Sequence, residues 1–120
     1  MDTPKIFESE DRFCQILWEV EPVGSTELVK LCREKLGWKK STTYTVIKRL
    51  SERGVVKLED ARVTSLVSRE EVQRSESREV VDRAFGGSLP RFIAAFAGGK
   101  KLTKEEADEV RRLIDQYEEE

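Results

Sequence analysis

From Ser9 to Val20 the apolar residues Phe13, Ile16, Leu17 and Val20 recur at the three-and-four spacing of a single helix face. Ser9 is a candidate N-cap, and Glu10 and Asp11 suit the positive end of the first turn. Pro22, Val23 and Gly24 interrupt the pattern; Ser25 then offers another N-cap before Leu28, Leu31, Cys32 and Leu36, with Gly37 as the stop. The next periodic stretch, Lys40 to Arg53, keeps only a narrow stripe of Val46, Ile47 and Leu50. Ser41, Thr42, Tyr44, Thr45, Lys48 and Arg49 fill the rest of its surface before Gly54. Beyond Gly54 the period shortens: Val55, Val56 and Leu58, then Glu59-Asp60-Ala61-Arg62, then Val63, Leu66 and Val67 predict two short strands joined by a tight turn.

Ser68-Arg69-Glu70-Glu71 has the spacing of a capping box and opens a helix to about Phe85, thin in apolar residues. Gly86-Gly87-Ser88 ends it, and a short hydrophobic segment from Leu89 to Phe96 is stopped in turn by Gly98-Gly99. Thr103-Lys104-Glu105-Glu106 repeats the box spacing and starts a last helix with Ala107, Val110, Leu113, Ile114 and Tyr117 along one side.

Two helices joined by a short turn at Gly37 to Lys39, the later one rich in hydroxyls and cations, predict a helix-turn-helix whose later helix enters a major groove. A hairpin directly after it predicts a wing. The expected fold is mainly α: a winged helix-turn-helix over residues 1–67, of three helices and a short β-hairpin, followed by a helical dimerisation region over residues 68–120. The last helices carry apolar stripes with no core of their own. Val81, Phe85, Leu89, Phe92, Ile93, Phe96, Val110, Leu113, Ile114 and Tyr117 are therefore expected to pack against the same helices of a second chain, in a two-fold homodimer.

Charge sharpens the picture through its distribution. The chain as a whole carries −2, but residues 1–29 carry −5, residues 30–62 carry +6 and residues 63–120 carry −3. A basic middle between acidic ends suits a protein that brings one face to phosphate and keeps the rest away. Histidine is absent and no nucleophile or glycine-rich phosphate motif is visible, which argues against an enzyme and leaves no cofactor to expect. Glu70 and Glu71 are neighbours on a helix and do not face each other across a cleft, so they read as solvated surface. Cys14 and Cys32 lie among apolar residues at helical spacing rather than at metal-ligand spacing, and are expected as reduced core thiols. No apolar run reaches the ~18 residues of a membrane span, and the acidic start MDTPKIFESEDR lacks the marks of a signal peptide. A cytoplasmic protein without direct membrane binding is expected.

The order of elements, with LGWKKSTTYTVIKRLSERGVV, LVSREEV and FGGSLPRFIAAFAGGKKLTKEEADEVRRLI, resembles the BlaI/MecI/CopY family of winged-helix repressors over nearly the whole chain. The resemblance implies a dimeric repressor on a palindromic operator in double-stranded DNA. By position it implies base reading from Ser41, Thr42, Tyr44 and Thr45, a phosphate contact from Arg49, and Trp38 as the anchor before the reading helix. Lys39, Lys40 and Lys48 would add salt-sensitive affinity, and Arg62 is expected as the one useful DNA group of the wing.

The chain also departs from the family pattern. Lys39-Lys40 stands where Ser-Pro is common, and the wing tip is acidic where a basic, glycine-bearing tip is frequent. Some members answer to a membrane sensor-protease, which cuts after asparagine and before a phenylalanine matching Phe96; here Ala95 precedes it, which counts against that partner. Copper-responsive members end in a cysteine cluster, whereas this sequence ends in Tyr-Glu-Glu-Glu, and metal sensing by that route is not expected. The acidic ends and acidic wing tip also suit a different class, a winged-helix module that binds protein rather than DNA.

Overall fold

Six helices and three short strands follow one another among the described residues, 3–119, of the computed structural model. In chain order these are α1 (Glu8–Val20), β1 (Val23–Gly24), α2 (Ser25–Leu36), α3 (Lys40–Glu52), β2 (Val56–Glu59), β3 (Arg62–Ser65), α4 (Arg69–Phe85), α5 (Leu89–Gly98) and α6 (Lys104–Tyr117). The mainly helical fold with an antiparallel wing is the one the periodicities predict. Its contacts divide into two units, Met1–Ser77 and Arg78–Glu120. The division falls inside α4, beyond the 67/68 boundary read from the sequence, because the start of α4 belongs to the first core. Val67 and Val72 are buried there, and the Trp18 indole Nε1 donates to the Val67 carbonyl at 3.0 Å.

The head, the first unit, closes on Phe13 and Leu17 of α1, Leu28 of α2, Ile47 and Leu50 of α3, and Val55, Val56 and Val63 of the wing, all buried. Each large aliphatic side chain so removed from water contributes about 1.5–3 kcal/mol. Val20, read as part of the α1 stripe, lies at the end of that helix and is exposed. Gly37 ends α2 in the left-handed region (φ +70°), its N–H on the Arg33 carbonyl at 3.1 Å, while the Trp38 N–H reaches the Cys32 carbonyl at 3.3 Å. This closing pattern turns the chain sharply into α3, and Trp38 stacks on Phe13 with centroids 6.1 Å apart, the anchoring role expected of it. Both cysteines are free and buried. Burial, with Glu10 and Asp11 nearby, pushes the Cys14 thiol up to about 12, and burial likewise raises that of Cys32.

Three local expectations are corrected. Ser9 does not cap α1; Phe7 occupies the cap position, and its N–H donates to the buried Glu10 carboxylate at 3.0 Å. That carboxylate also receives the Arg53 guanidinium, whose Nε donates to the Lys5 carbonyl and whose Cζ lies 4.8 Å from the centre of the Phe7 ring. Ser25 does not cap α2: Gly24 does, and Ser25 is its buried first residue. The sheet has three strands rather than two, in the order β1-β3-β2, because Val23 and Gly24 pair with Val63 and Arg62. Glu21 assists, its carboxylate accepting the Ser65 N–H at 2.8 Å.

The tail, from Arg78, is built differently. Ser88 caps α5 by accepting the Arg91 N–H at 3.2 Å, and Thr103 caps α6 by accepting the Glu106 N–H at 3.1 Å. Phe85 meets Phe92 edge-on at 5.4 Å, and Phe92 lies 6.3 Å from Phe96. None of the described residues from Arg78 onward is buried. Leu89, Ile93, Phe96, Leu113, Ile114 and Tyr117 are exposed, and Val81, Phe85, Phe92 and Val110 are half-buried.

Candidate nucleic-acid interface

Helix α3 separates its two jobs cleanly. Thr43, Val46, Ile47 and Leu50 face the core, while Ser41, Thr42, Thr45, Lys48 and Arg49 face solvent, with Lys39 and Lys40 at the N-terminal end. The structure thus brings seven of the nine residues expected to meet DNA onto one helix surface. Among the described residues, Lys39, Lys40, Lys48 and Arg49 make no ion pair with a carboxylate. Their charge is available to phosphate. Glu52, exposed one turn beyond Lys48, marks where the basic surface ends.

No side chain caps the start of α3, since Lys39 holds the N-cap position without a side-chain hydrogen bond. The first-turn amides, at the positive end of the helix dipole and beside Lys39 and Lys40, are disposed to receive an anionic oxygen. The Thr45 hydroxyl donates to the Ser41 carbonyl at 2.9 Å, which fixes its rotamer and leaves its oxygen free to accept.

Tyr44 and Arg62 stand apart from this surface. Tyr44 is half-buried against the core, its hydroxyl 3.2 Å from the Ser25 hydroxyl, and the Lys40 ammonium lies 6.0 Å from its ring centre. Its polar end is thus engaged within the head. Arg62 is exposed on the wing, and its guanidinium donates to the Pro22 carbonyl at 3.3 Å. Ser25 and Arg53, which hold α3 in place, were not read as site residues. Their partners lie 19 and 43 positions away, so no local pattern announces them.

Outside α3, Trp18, Glu21, Arg69 and the segment from Ser65 to Ser68 line an open cleft of about 370 Å³. No cluster of three or more potential ligands among the described residues can hold a metal ion. No helix among them is long and apolar enough to cross a membrane.

A three-helix head with a short antiparallel wing and an exposed hydroxyl-and-cation face on its third helix defines the winged-helix class. Residues 6–116 match the model of the penicillinase repressor family, and the chain belongs to that family, one of regulatory DNA-binding proteins rather than of enzymes. A penicillinase repressor from Bacillus licheniformis is 20% identical over 118 residues, covering 95% of this chain and 92% of that one. An uncharacterised 16.5 kDa protein from Latilactobacillus sakei, described by its place in the ptsI 3′ region, is 25% identical over 117 residues, covering 94% and 80%. Membership of the family makes the protein a transcriptional repressor in its general character.

Proposed function

We infer that the protein is a cytoplasmic repressor that binds a palindromic operator as a homodimer and reads each half-site with α3. The observation that carries this reading is the exposed basic and hydroxyl-bearing face of α3, whose cations make no ion pair among the described residues, beside a helix N-terminus with no side-chain cap. Thr42 and Thr45 are suited to base edges and to thymine methyl groups, with Ser41 at the entry of the helix. Lys39, Lys40, Lys48 and Arg49 hold the phosphates. Tyr44 acts by positioning the helix rather than by touching a base, and Arg62 plays at most a peripheral part, since its guanidinium is tied to Pro22. The exposed apolar residues of α5 and α6, with Val81 and Phe85 of α4, form the contact with the second copy.

In a gel-shift assay on the chain's own upstream region, Thr42→Ala together with Arg49→Ala is expected to lower affinity at least about thirtyfold, from a lost base contact and a lost phosphate contact. The salt dependence should also become shallower. Unchanged affinity and unchanged salt dependence would overturn the reading. The reading leaves the inducing signal open; Ala95 before Phe96 disfavours a membrane sensor-protease as the partner that supplies it. The acidic wing tip favours a second reading, in which the head binds protein. That reading takes first place if the wild-type chain shows no salt-sensitive binding to its upstream DNA.

A further inference from the structure

The wing tip is fixed to the reading helix by a short chain of contacts. The Ser25 N–H donates to the Ala61 carbonyl at 2.8 Å, the Ser25 hydroxyl meets the Tyr44 hydroxyl at 3.2 Å, and the Tyr44 ring carries the Lys40 ammonium 6.0 Å from its centre. The turn itself is rigid in form. Asp60 (φ +51°) and Ala61 (φ +59°) both lie in the left-handed region, as the two central residues of the commonest tight hairpin do, with Glu59 paired to Arg62 across the strands.

The tip carries two carboxylates, with a cation on either side of them. Arg62 is drawn back to the Pro22 carbonyl, and Lys57 is 3.6 Å from Glu59 on the same strand. The Glu59 side chain is 69% exposed even so, and Asp60 is exposed at the apex. Two carboxylates therefore stand at the tip between Lys57 and Arg62, and the turn is joined through Ser25 and Tyr44 to the N-terminal end of α3, where Lys39 and Lys40 lie.

We propose that Glu59 and Asp60 form an electrostatic guard: the wing meets the phosphate backbone with like charge and holds down the affinity for DNA of any sequence, so that attraction is confined to α3. The inference rests on the DNA-binding reading of α3. Its physical basis is that like charges brought within a Debye length of ~10 Å repel, that the repulsion is screened by salt, and that it carries no base information. Because the repulsion acts on every duplex alike, the guard sets the overall strength of binding and its salt dependence and leaves the ratio of operator to non-specific affinity unchanged.

The test is fluorescence anisotropy of the full-length chain with two labelled duplexes, its own upstream region and a scrambled sequence of equal composition, at about 50 and 200 mM salt. Glu59→Gln with Asp60→Asn keeps the turn, because asparagine adopts the left-handed region readily. This variant is expected to bind both duplexes about tenfold more tightly at the lower salt, with the gain shrinking at the higher salt. Ala61→Gly, which relieves the same turn without changing charge, is expected to leave both affinities unchanged and so separates charge from turn geometry. If the wild-type chain binds its upstream duplex and Glu59→Gln with Asp60→Asn binds no more tightly, the guard is overturned while the DNA-binding reading stands. Equal tightening by Ala61→Gly overturns it as well. A wild-type chain that binds neither duplex removes the DNA-binding reading itself, and the guard with it.

Discussion

The head and the tail use amphipathic helices to opposite ends. In the head, α1, α2 and α3 turn their apolar stripes toward one another and toward the wing, and every buried hydrophobic residue among the described ones lies between Ile6 and Val72. In the tail, α5 and α6 have equally regular apolar sides, yet Phe96, Leu113 and Ile114 remain exposed. The contrast teaches that a helix stripe specifies a buried face without specifying whose core receives it. The head supplies its own; the tail leaves a surface that a second copy of the chain suits, since a two-fold axis brings each such patch against itself.

The difference predicts that substitutions in the two regions break different things. The largest effect is expected from Leu113→Asp with Ile114→Asp. Each copy contributes both changes to a two-fold contact, so the dimer dissociation constant should rise at least about a thousandfold, roughly 4 kcal/mol, in sedimentation velocity. The unfolding midpoint of the head should not follow. A monomer already present in the wild-type chain at micromolar concentration, or loss of head structure in the variant, would contradict the comparison. Next in size is Leu50→Ala, which empties a fully buried position at the back of α3. It should cost the head about 3 kcal/mol in urea unfolding, with a lower midpoint and an unchanged slope.

The smallest effect belongs to Cys14. Its thiol is held protonated to about pH 12 against an ordinary value of 9.0. Above pH 9 the unfolded chain therefore loses this proton while the folded head keeps it. The stabilisation is complete below that pH and declines as pH rises toward 12, by about 1 kcal/mol per unit. Cys14→Ala should flatten that decline in urea titrations between pH 9 and 11, and a slope indifferent to the substitution would argue against the burial described for this thiol.

What could be read in advance follows the range of the interactions. The Ser68–Glu71 box forms as spaced, with the Glu71 N–H on the Ser68 hydroxyl at 3.0 Å, because both partners lie within one helical turn. Gly37 as the stop of α2 was legible for the same reason. Ser9 and Ser25 offered an N-cap residue without the glutamate three positions on that Ser68 has, and neither caps its helix. The start of α1 is decided by Glu10, which reaches back to the Phe7 N–H and is itself held by Arg53, and the start of α2 by pairing of Val23 and Gly24 with β3. Two residues of β1 are too few to show a period. On the candidate interface, the exposed face of α3 followed from its narrow apolar stripe. The place of Tyr44 did not, since an aromatic residue with a hydroxyl suits a groove and a core equally until Ser25 is seen opposite it.

The hold that Arg53 takes on the Lys5 carbonyl, the Phe7 ring and the Glu10 carboxylate governs how this molecule can be cut into parts. Residues that precede the first helix act as a strap across the end of α3, so an excised head begun at Glu8 would retain every helix yet lose the Lys5 carbonyl and the Phe7 ring and leave Arg53 held by Glu10 alone of the three. At the other side the excision has to pass Val72, which completes the core. The smallest piece that keeps all of these contacts starts before Lys5 and ends beyond Val72, and it is longer at both ends than the span of its three helices and wing.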